Sequence, residues 1–437
     1  SSDVCSSDLI ILSRVLGGEG IGLYQMGFPI YLMAITLSSA GIPVAISIIT
    51  AEKLAQKDFL GAKRVFNVSL QLLFVTGLVF ASALFFGAQW LIDHHWIRDG
   101  RAYYSIIALA PAVFFVTFLA SFRGYLQGWQ IMTPTAASEI VEQLMRVVTM
   151  IVFANMFMPY GLAYAAGGAS MGAGVGAFCA LLVLMWFYRR LKHKLKEDLQ
   201  HQNPLATRES ARAIISRLLR LALPVSMSSL MLPVVANLDL LIVPQRLEAA
   251  GFHISQATEF FGYLTGMAVP LINLATIFTA AMTISLVPAI SESRALNDVF
   301  GIRAKTRTAF RVALIITCPC FVGMYFLAEK IAALIYNAPG AASAIQTMSV
   351  GIMLLGLHQI STGILQGLGR TSIPVINMIL AAAVKVFLSW TLTAIPTLGI
   401  RGAAMATVVD FGLAAILNMI FIYKYTGFAL SRSEERR

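Results

Sequence analysis

The chain has 437 residues, of which 58% are hydrophobic and only 12% charged, with a formal net charge of +11. A soluble domain carries about 25% charged residues, so this chain cannot clothe itself in a water-facing surface. Its recurrent apolar runs, each near the roughly 20 residues that cross hydrocarbon as a helix, read as an all-α, polytopic membrane protein, and the roughly ten-residue alternating segments of a transmembrane barrel are not seen.

Residues 1–8, SSDVCSSD, hold SSD twice and no basic n-region, so they do not read as a signal peptide and are set aside as non-native sequence. Residues 9–16 are too short to span and contain Arg14; they read as the tail of a truncated first helix. Eleven full spans follow, near 25–50, 66–91, 103–122, 134–156, 161–187, 221–243, 260–289, 309–335, 345–368, 374–395 and 400–423. With the stub, the plan is twelve helices: an N-terminal bundle over 9–188, a basic linker over 189–220, a C-terminal bundle over 221–424 and a tail over 425–437.

Alternate loops carry 24 of the 32 Lys and Arg residues, the opposite loops carry 5, and Arg14, Arg146 and Lys385 lie within spans. That bias places the basic loops and the C-terminus in the cytoplasm and the chain in the cytoplasmic membrane. It also accounts for the net charge without nucleic acid. The linker is expected to be a plain connection or, after a turn near Asn203 and Pro204, an amphipathic helix on the inner leaflet. The four cysteines, Cys5, Cys179, Cys318 and Cys320, show no redox or zinc spacing, so no metal site and no cofactor is expected beyond a coupling Na⁺ or H⁺.

Three motif pairs recur at nearly one offset. GYLQG (124–128) with Pro134 answers GILQG (363–367) with Pro374. PVAIS (43–47) leading to DFLG (58–61) answers PAIS (288–291) leading to DVFG (298–301). GLAYAA (161–166) answers GIRGAA (399–404). The repeat unit is six spans, an even number, so both copies enter the membrane the same way. Two six-helix bundles related by a pseudo-twofold axis along the membrane normal follow, with alternating access as rocking of one against the other.

The segments SRVLGGEGIGLYQ (13–25), AGIPVAIS (40–47), FRGYLQGWQIMTPTAASEIVEQLMRV (122–147) and GLGRTSIP (367–374) resemble the stage V sporulation protein B and polysaccharide-biosynthesis branch of the MOP exporter superfamily. That superfamily also includes MATE drug exporters and MurJ-type lipid II flippases. The likeness covers about residues 13–425. It departs from the pattern in the short first helix and in ending after the twelfth, where some relatives carry two more. The resemblance implies flipping of an undecaprenyl-diphosphate-linked saccharide, driven by a cation gradient or the membrane potential. It implies a lipid-linked oligosaccharide and membrane lipids as partners, envelope-synthesis enzymes as neighbours, and a monomer.

Ionisable residues within spans are rare and costly, so each is a functional candidate. Arg14 reads either as a diphosphate ligand, as the resemblance to MurJ-like proteins implies, or as a cation snorkelling to the interface. Glu139, Glu142 and Arg146 share one helical face, with Glu142 and Arg146 spaced to pair at i,i+4. They read as a relay in which an acid takes a proton or Na⁺ and an arginine meets diphosphate, or as an internal ion pair. Lys385 lies in the helix that repeats the one bearing Arg146, and is a second cation for an anionic head group or a lone snorkelling lysine. Asp239, beside Asn237, and Asp410 are candidate coupling-ion ligands or polar helix contacts. Arg123 opens the GYLQG turn, as a head-group contact or one more interfacial charge.

Three other functions compete with this reading. A MATE-like drug exporter wants acids and aromatics in its cavity, whereas a diphosphate flippase wants fixed cations. A membrane enzyme of polysaccharide assembly needs a large outer loop with catalytic groups, and the loops near 92–102 and 244–259 are short. A scaffold has no use for buried charge.

Overall fold

The computed structural model describes residues 5–39, 41–198 and 209–427. Among these there is no strand, and the helices run α1 (Cys5–Ser39), α2 (Ile42–Ala55), α3 (Phe59–Asp93), α4 (Tyr103–Gly128), α5 (Thr133–Phe157), α6 (Leu162–Asp198), α7 (Ala211–Ala249), α8 (Ile254–Gly262), α9 (Val269–Ala275), α10 (Ile277–Ala295), α11 (Val299–Phe326), α12 (Ala328–Tyr336), α13 (Ala342–Gly367), α14 (Ser372–Leu392) and α15 (Ile400–Thr426). Ten stretches of helix are long and apolar enough to cross a membrane, or eleven with the pair 254–275 and 277–295, which is bent by 50°. These match the eleven expected spans one for one, and the chain is a multi-pass membrane protein.

Four boundaries differ from expectation; one is the expected span 309–335, which is broken at Leu327 between α11 and α12. The stub is not a separate helix: no polar loop interrupts residues 9–24, and α1 continues through a single sharp break at Gly17 (φ 68°, ψ −175°). That backbone region is essentially open to glycine alone. The expected span 25–50 is instead broken at Gly41, whose left-handed φ of 73° precedes Pro43 in the first turn of α2. The expected span 260–289 is interrupted by a π-helical turn over Tyr263–Ala268 and by a break at Thr276. The turn expected near Asn203 and residues 1–4 and 428–437 lie outside the described residues.

The chain divides into two compact units, one over Leu23–Leu240 and one over Ser2–Gly22 with Leu241–Arg437. Each carries one copy of the duplicated motifs, and each copy has the same local structure. Asp58 caps α3 by accepting from the Gly61 N–H at 2.9 Å, and Asp298 caps α11 by accepting from the Gly301 N–H at 2.8 Å, satisfying donors that a helix start leaves orphaned. The last glycine of each GxLQG segment presses onto the preceding element: a Cβ on Gly128 would meet the Ser47 carbonyl, and one on Gly367 the Val287 carbonyl. Ile46 and Phe66 lie at the centre of the first unit and Ile290 and Phe310 at the centre of the second, both pairs 244 residues apart.

In the first unit Phe66 is ringed by Phe122, Tyr125 and Tyr188 at centroid distances of 5.2, 4.5 and 4.9 Å. The start of α7 completes that core. Ile214, Leu218 and Ala222 are buried in it, Glu209 pairs with Lys53 at 2.6 Å, and Arg217 pairs with Glu52. Part of this segment's apolar face is thus spent on protein, while Leu219 and Leu223 stay exposed. On the outside the usual polarity is inverted. Ile140, Leu144, Val148, Val152 and Met156 form an exposed row along α5 at spacings of four, a surface suited to lipid.

Candidate functional site

Helix α5 has three faces, and their division places the charges. The exposed apolar row is one. A second lies against α6, where Gly168, Gly172 and Gly176 admit α5 at backbone contact; a Cβ on Gly176 would stand 2.6 Å from the Glu142 carbonyl and 3.1 Å from the Arg146 Cβ. The third carries Glu139, Glu142 and Arg146, all half-buried. The short connection from α4 brings Arg123 back over this face. Its Nη2 donates to Glu142 Oε2 at 2.8 Å and its Nε to Ser138 Oγ at 3.2 Å. The Arg123 and Glu142 side chains are 18% and 14% exposed.

The expected i,i+4 pair of Glu142 with Arg146 is therefore not formed; Glu142 is taken by Arg123 from the neighbouring helix. Arg146, one turn further along α5, is engaged by another group. Glu139 makes no hydrogen bond or ion pair among the described residues. On α7, Asn237 donates to the carbonyls of Pro29 and Pro233, both at 2.8 Å, and so occupies carbonyl oxygens near Asp239, which has interactions of its own.

Arg14, Lys385 and Asp410 belong to the second unit. Arg14 is exposed, and its Nε and Nη2 donate to the carbonyls of Ile335 and Leu334 at 2.9 and 2.6 Å. Those are orphan acceptors at the end of α12, where the helix dipole favours a cation. Arg14 thus caps a helix, a role considered neither for ligand binding nor for snorkelling. Lys385 is 5% exposed, so it does not snorkel, and Asp410 is half-buried. Both are engaged by other groups. Two turns toward the other end of the same hairpin, Asn377 donates to Asn418 Oδ1 at 2.8 Å, and Asn418 donates to Ser361 and Thr362 at 3.2 and 3.1 Å.

Sequence reading passed over Glu259 and Tyr263. Glu259 lies just before the expected start of its span, but α8 already begins at Ile254. Its carboxylate accepts a hydrogen bond from the Tyr263 hydroxyl, and Tyr263 opens the π-helical turn, a feature that recurs at functional sites. Tyr336, whose phenol burial pushes above its ordinary value, donates to the Met267 carbonyl of that turn at 3.1 Å. The i,i+4 spacing of Glu259 and Tyr263 was the available signal. Among the described residues no group of three His, Cys, Asp or Glu side chains is placed to hold a metal ion.

Comparison with known proteins places this geometry. The family model described as polysaccharide biosynthesis protein matches residues 8–294, and the MatE model matches 265–391. Stage V sporulation protein B of Bacillus subtilis (strain 168) is 30% identical over 426 residues, covering 97% of this chain and 81% of that protein. The lipid II flippase MurJ of the same organism is 23% identical over 436 residues, covering 96% and 79%. A solved multidrug resistance MATE family transporter of the MOP superfamily, in its inward-facing conformation, shares the fold with a TM-score of 0.80 at 18% identity, over 98% of this chain and 95% of that one. The chain belongs to the polysaccharide biosynthesis protein family and is a membrane transporter of the MOP superfamily, not an enzyme.

Proposed function

We propose that this transporter moves an undecaprenyl-diphosphate-linked saccharide across the cytoplasmic membrane by alternating access, with its basic loops and C-terminus on the cytoplasmic side. The observation that supports this cargo is the Arg123–Glu142 pair, with Arg146 one turn beyond on the same helix. A guanidinium already held by a carboxylate is a receptor for an anion of the same geometry, and a diphosphate offers more charge in that geometry than a carboxylate does. Glu142 is then a place-holder. A proton or Na⁺ taken by Glu142, with Glu139 three residues away on the same face, weakens its hold on Arg123 and readies the guanidinium for cargo. Arg146 is the second cation.

A MATE-like drug exporter is the second reading, favoured by the MatE match over 265–391. Thermal unfolding of the purified protein separates the two. Undecaprenyl diphosphate, but not undecaprenol, is expected to raise Tm of the wild type and to raise it less in Arg123→Ala. Stabilisation by lipophilic cations and none by the diphosphate lipid would turn the assignment to drug export.

A further inference from the structure

Helix α11 presents one exposed face along its length. Phe300, Arg307, Arg311, Ile315, Val322 and Phe326 follow one another on it at spacings of four and seven. Phe300, Ile315 and Phe326 are 83%, 62% and 77% exposed, and both arginines are exposed. The part beyond Arg311, residues 312–326, carries no charged side chain. It rises about 22 Å, most of the roughly 30 Å of hydrocarbon in a bilayer. Arg311 therefore stands at the hydrocarbon edge, and Arg307, about 6 Å further out, at head-group depth. Three other basic groups at this end are held by protein. Arg303 donates to the Thr426 carbonyl at 2.7 Å and Lys305 to the Ala289 carbonyl at 2.9 Å, and Arg370 lies over the Tyr425 ring. Arg307 and Arg311 make no hydrogen bond or ion pair with another described residue. No acidic side chain occurs in α11, and Asp298 at its start is spent on the Gly301 N–H. The first unit shows that the fold does not require these charges. Counted from the caps Asp58 and Asp298, buried Ala62, Ser69 and Leu73 of α3 answer buried Ile302, Ala309 and Ala313 of α11. In the same register the places of Arg307 and Arg311 are taken by Asn67 and Gln71, both exposed and uncharged.

We infer that Arg307 and Arg311 bind the phosphate of an anionic glycerophospholipid, whose acyl chains lie along Ile315, Val322 and Phe326. A guanidinium at the edge of hydrocarbon needs an anion, and the protein supplies none here. Two guanidiniums one turn apart on one face can hold a single phosphate between them through charge-assisted hydrogen bonds. A lipid brings a charged head and an apolar tail in the order in which this face presents its arginines and its apolar row. A soluble phosphate or an acidic peptide would match the arginines and leave that row bare. The inference concerns the second unit alone and is independent of the cargo proposed above.

The test titrates the full-length protein, freed of lipid in detergent, with dioleoylphosphatidylglycerol or dioleoylphosphatidylcholine and counts bound lipid by native mass spectrometry. Wild type is expected to retain phosphatidylglycerol in preference to phosphatidylcholine, and glycerol phosphate in excess is not expected to displace it. R307Q/R311Q is expected to bind phosphatidylglycerol roughly tenfold or more weakly, with phosphatidylcholine binding unchanged. N67R/Q71R, which places the same two arginines at the matching positions of the first unit, is expected to retain one phosphatidylglycerol more than wild type. Any of four results overturns the inference: equal retention of the two lipids by wild type, undiminished phosphatidylglycerol binding in R307Q/R311Q, no added lipid on N67R/Q71R, or displacement by glycerol phosphate, which would make this a site for a free phosphate. If R307Q/R311Q fails to fold, N67R/Q71R decides.

Discussion

Gly176→Ala tests whether close approach of α6 sets the charged face of α5. A Cβ at this position would meet the Glu142 carbonyl at 2.6 Å and the Arg146 Cβ at 3.1 Å. Carbon–oxygen contacts between helices settle at about 3.3–3.6 Å, so α5 must retreat by about 0.7–1.0 Å. The contacting atom is backbone, so no side-chain rotation relieves it. Overpacking of this kind costs about 1–3 kcal/mol. At roughly 2–4 °C per kcal/mol for a unit of this size, Tm falls by roughly 2–12 °C. Gly87→Ala is the control: nothing lies within 4 Å of its Cβ, and alanine in a helix interior gains about 0.5–1 kcal/mol over glycine. The assay is thermal unfolding of the purified protein by intrinsic fluorescence. A Gly176→Ala protein as stable as the Gly87→Ala protein would show that α6 does not brace Glu142 and Arg146.

Gly17→Ala has space for its methyl, with nothing within 4 Å, but not the backbone angles; the strain is about 1–3 kcal/mol, read as a lower Tm, and an unchanged Tm would mean that the break in α1 is not needed. Asn418→Ala strands the Asn377, Ser361 and Thr362 partners and is expected to lose about 1–2 kcal/mol, with Asn418→Asp no better; a neutral alanine would remove the network from the account. Single cysteines replacing His95 and Ser210, in a background without the native cysteines, report orientation. An impermeant thiol reagent applied to whole cells is expected to label the first and not the second, and the reverse pattern would invert the membrane topology.

Most of the architecture was legible because membrane helices announce themselves. A run of some 20 apolar residues has few alternatives in hydrocarbon, and every one of the eleven full spans reappears. The duplicated motifs were legible for a local reason: Asp58 with Gly61, and Asp298 with Gly301, are a cap and its first helical turn, a unit that the sequence spacing itself specifies. What sequence could not reach was the partner of a charge. Helical periodicity offers Glu142 only its own neighbours on α5, and so pointed to Arg146, whereas Arg123 arrives from α4 through a hairpin whose closure depends on packing. Arg14 illustrates the same limit. Its carbonyl partners are more than 300 residues away in the chain, at the end of a nine-residue helix that was read as part of a longer span.

The central claim concerns cargo, and trans-bilayer movement measures it most directly. Vesicles containing the purified transporter and a fluorescent undecaprenyl-diphosphate saccharide are assayed by impermeant quenching, which counts lipid reaching the outer leaflet. Wild type is predicted to raise the rate above protein-free vesicles, Arg123→Ala and Arg146→Ala to abolish most of that increase, and Arg123→Lys to restore it only in part. A wild-type rate equal to that of empty vesicles, with a lipophilic cation moved instead, would contradict the account.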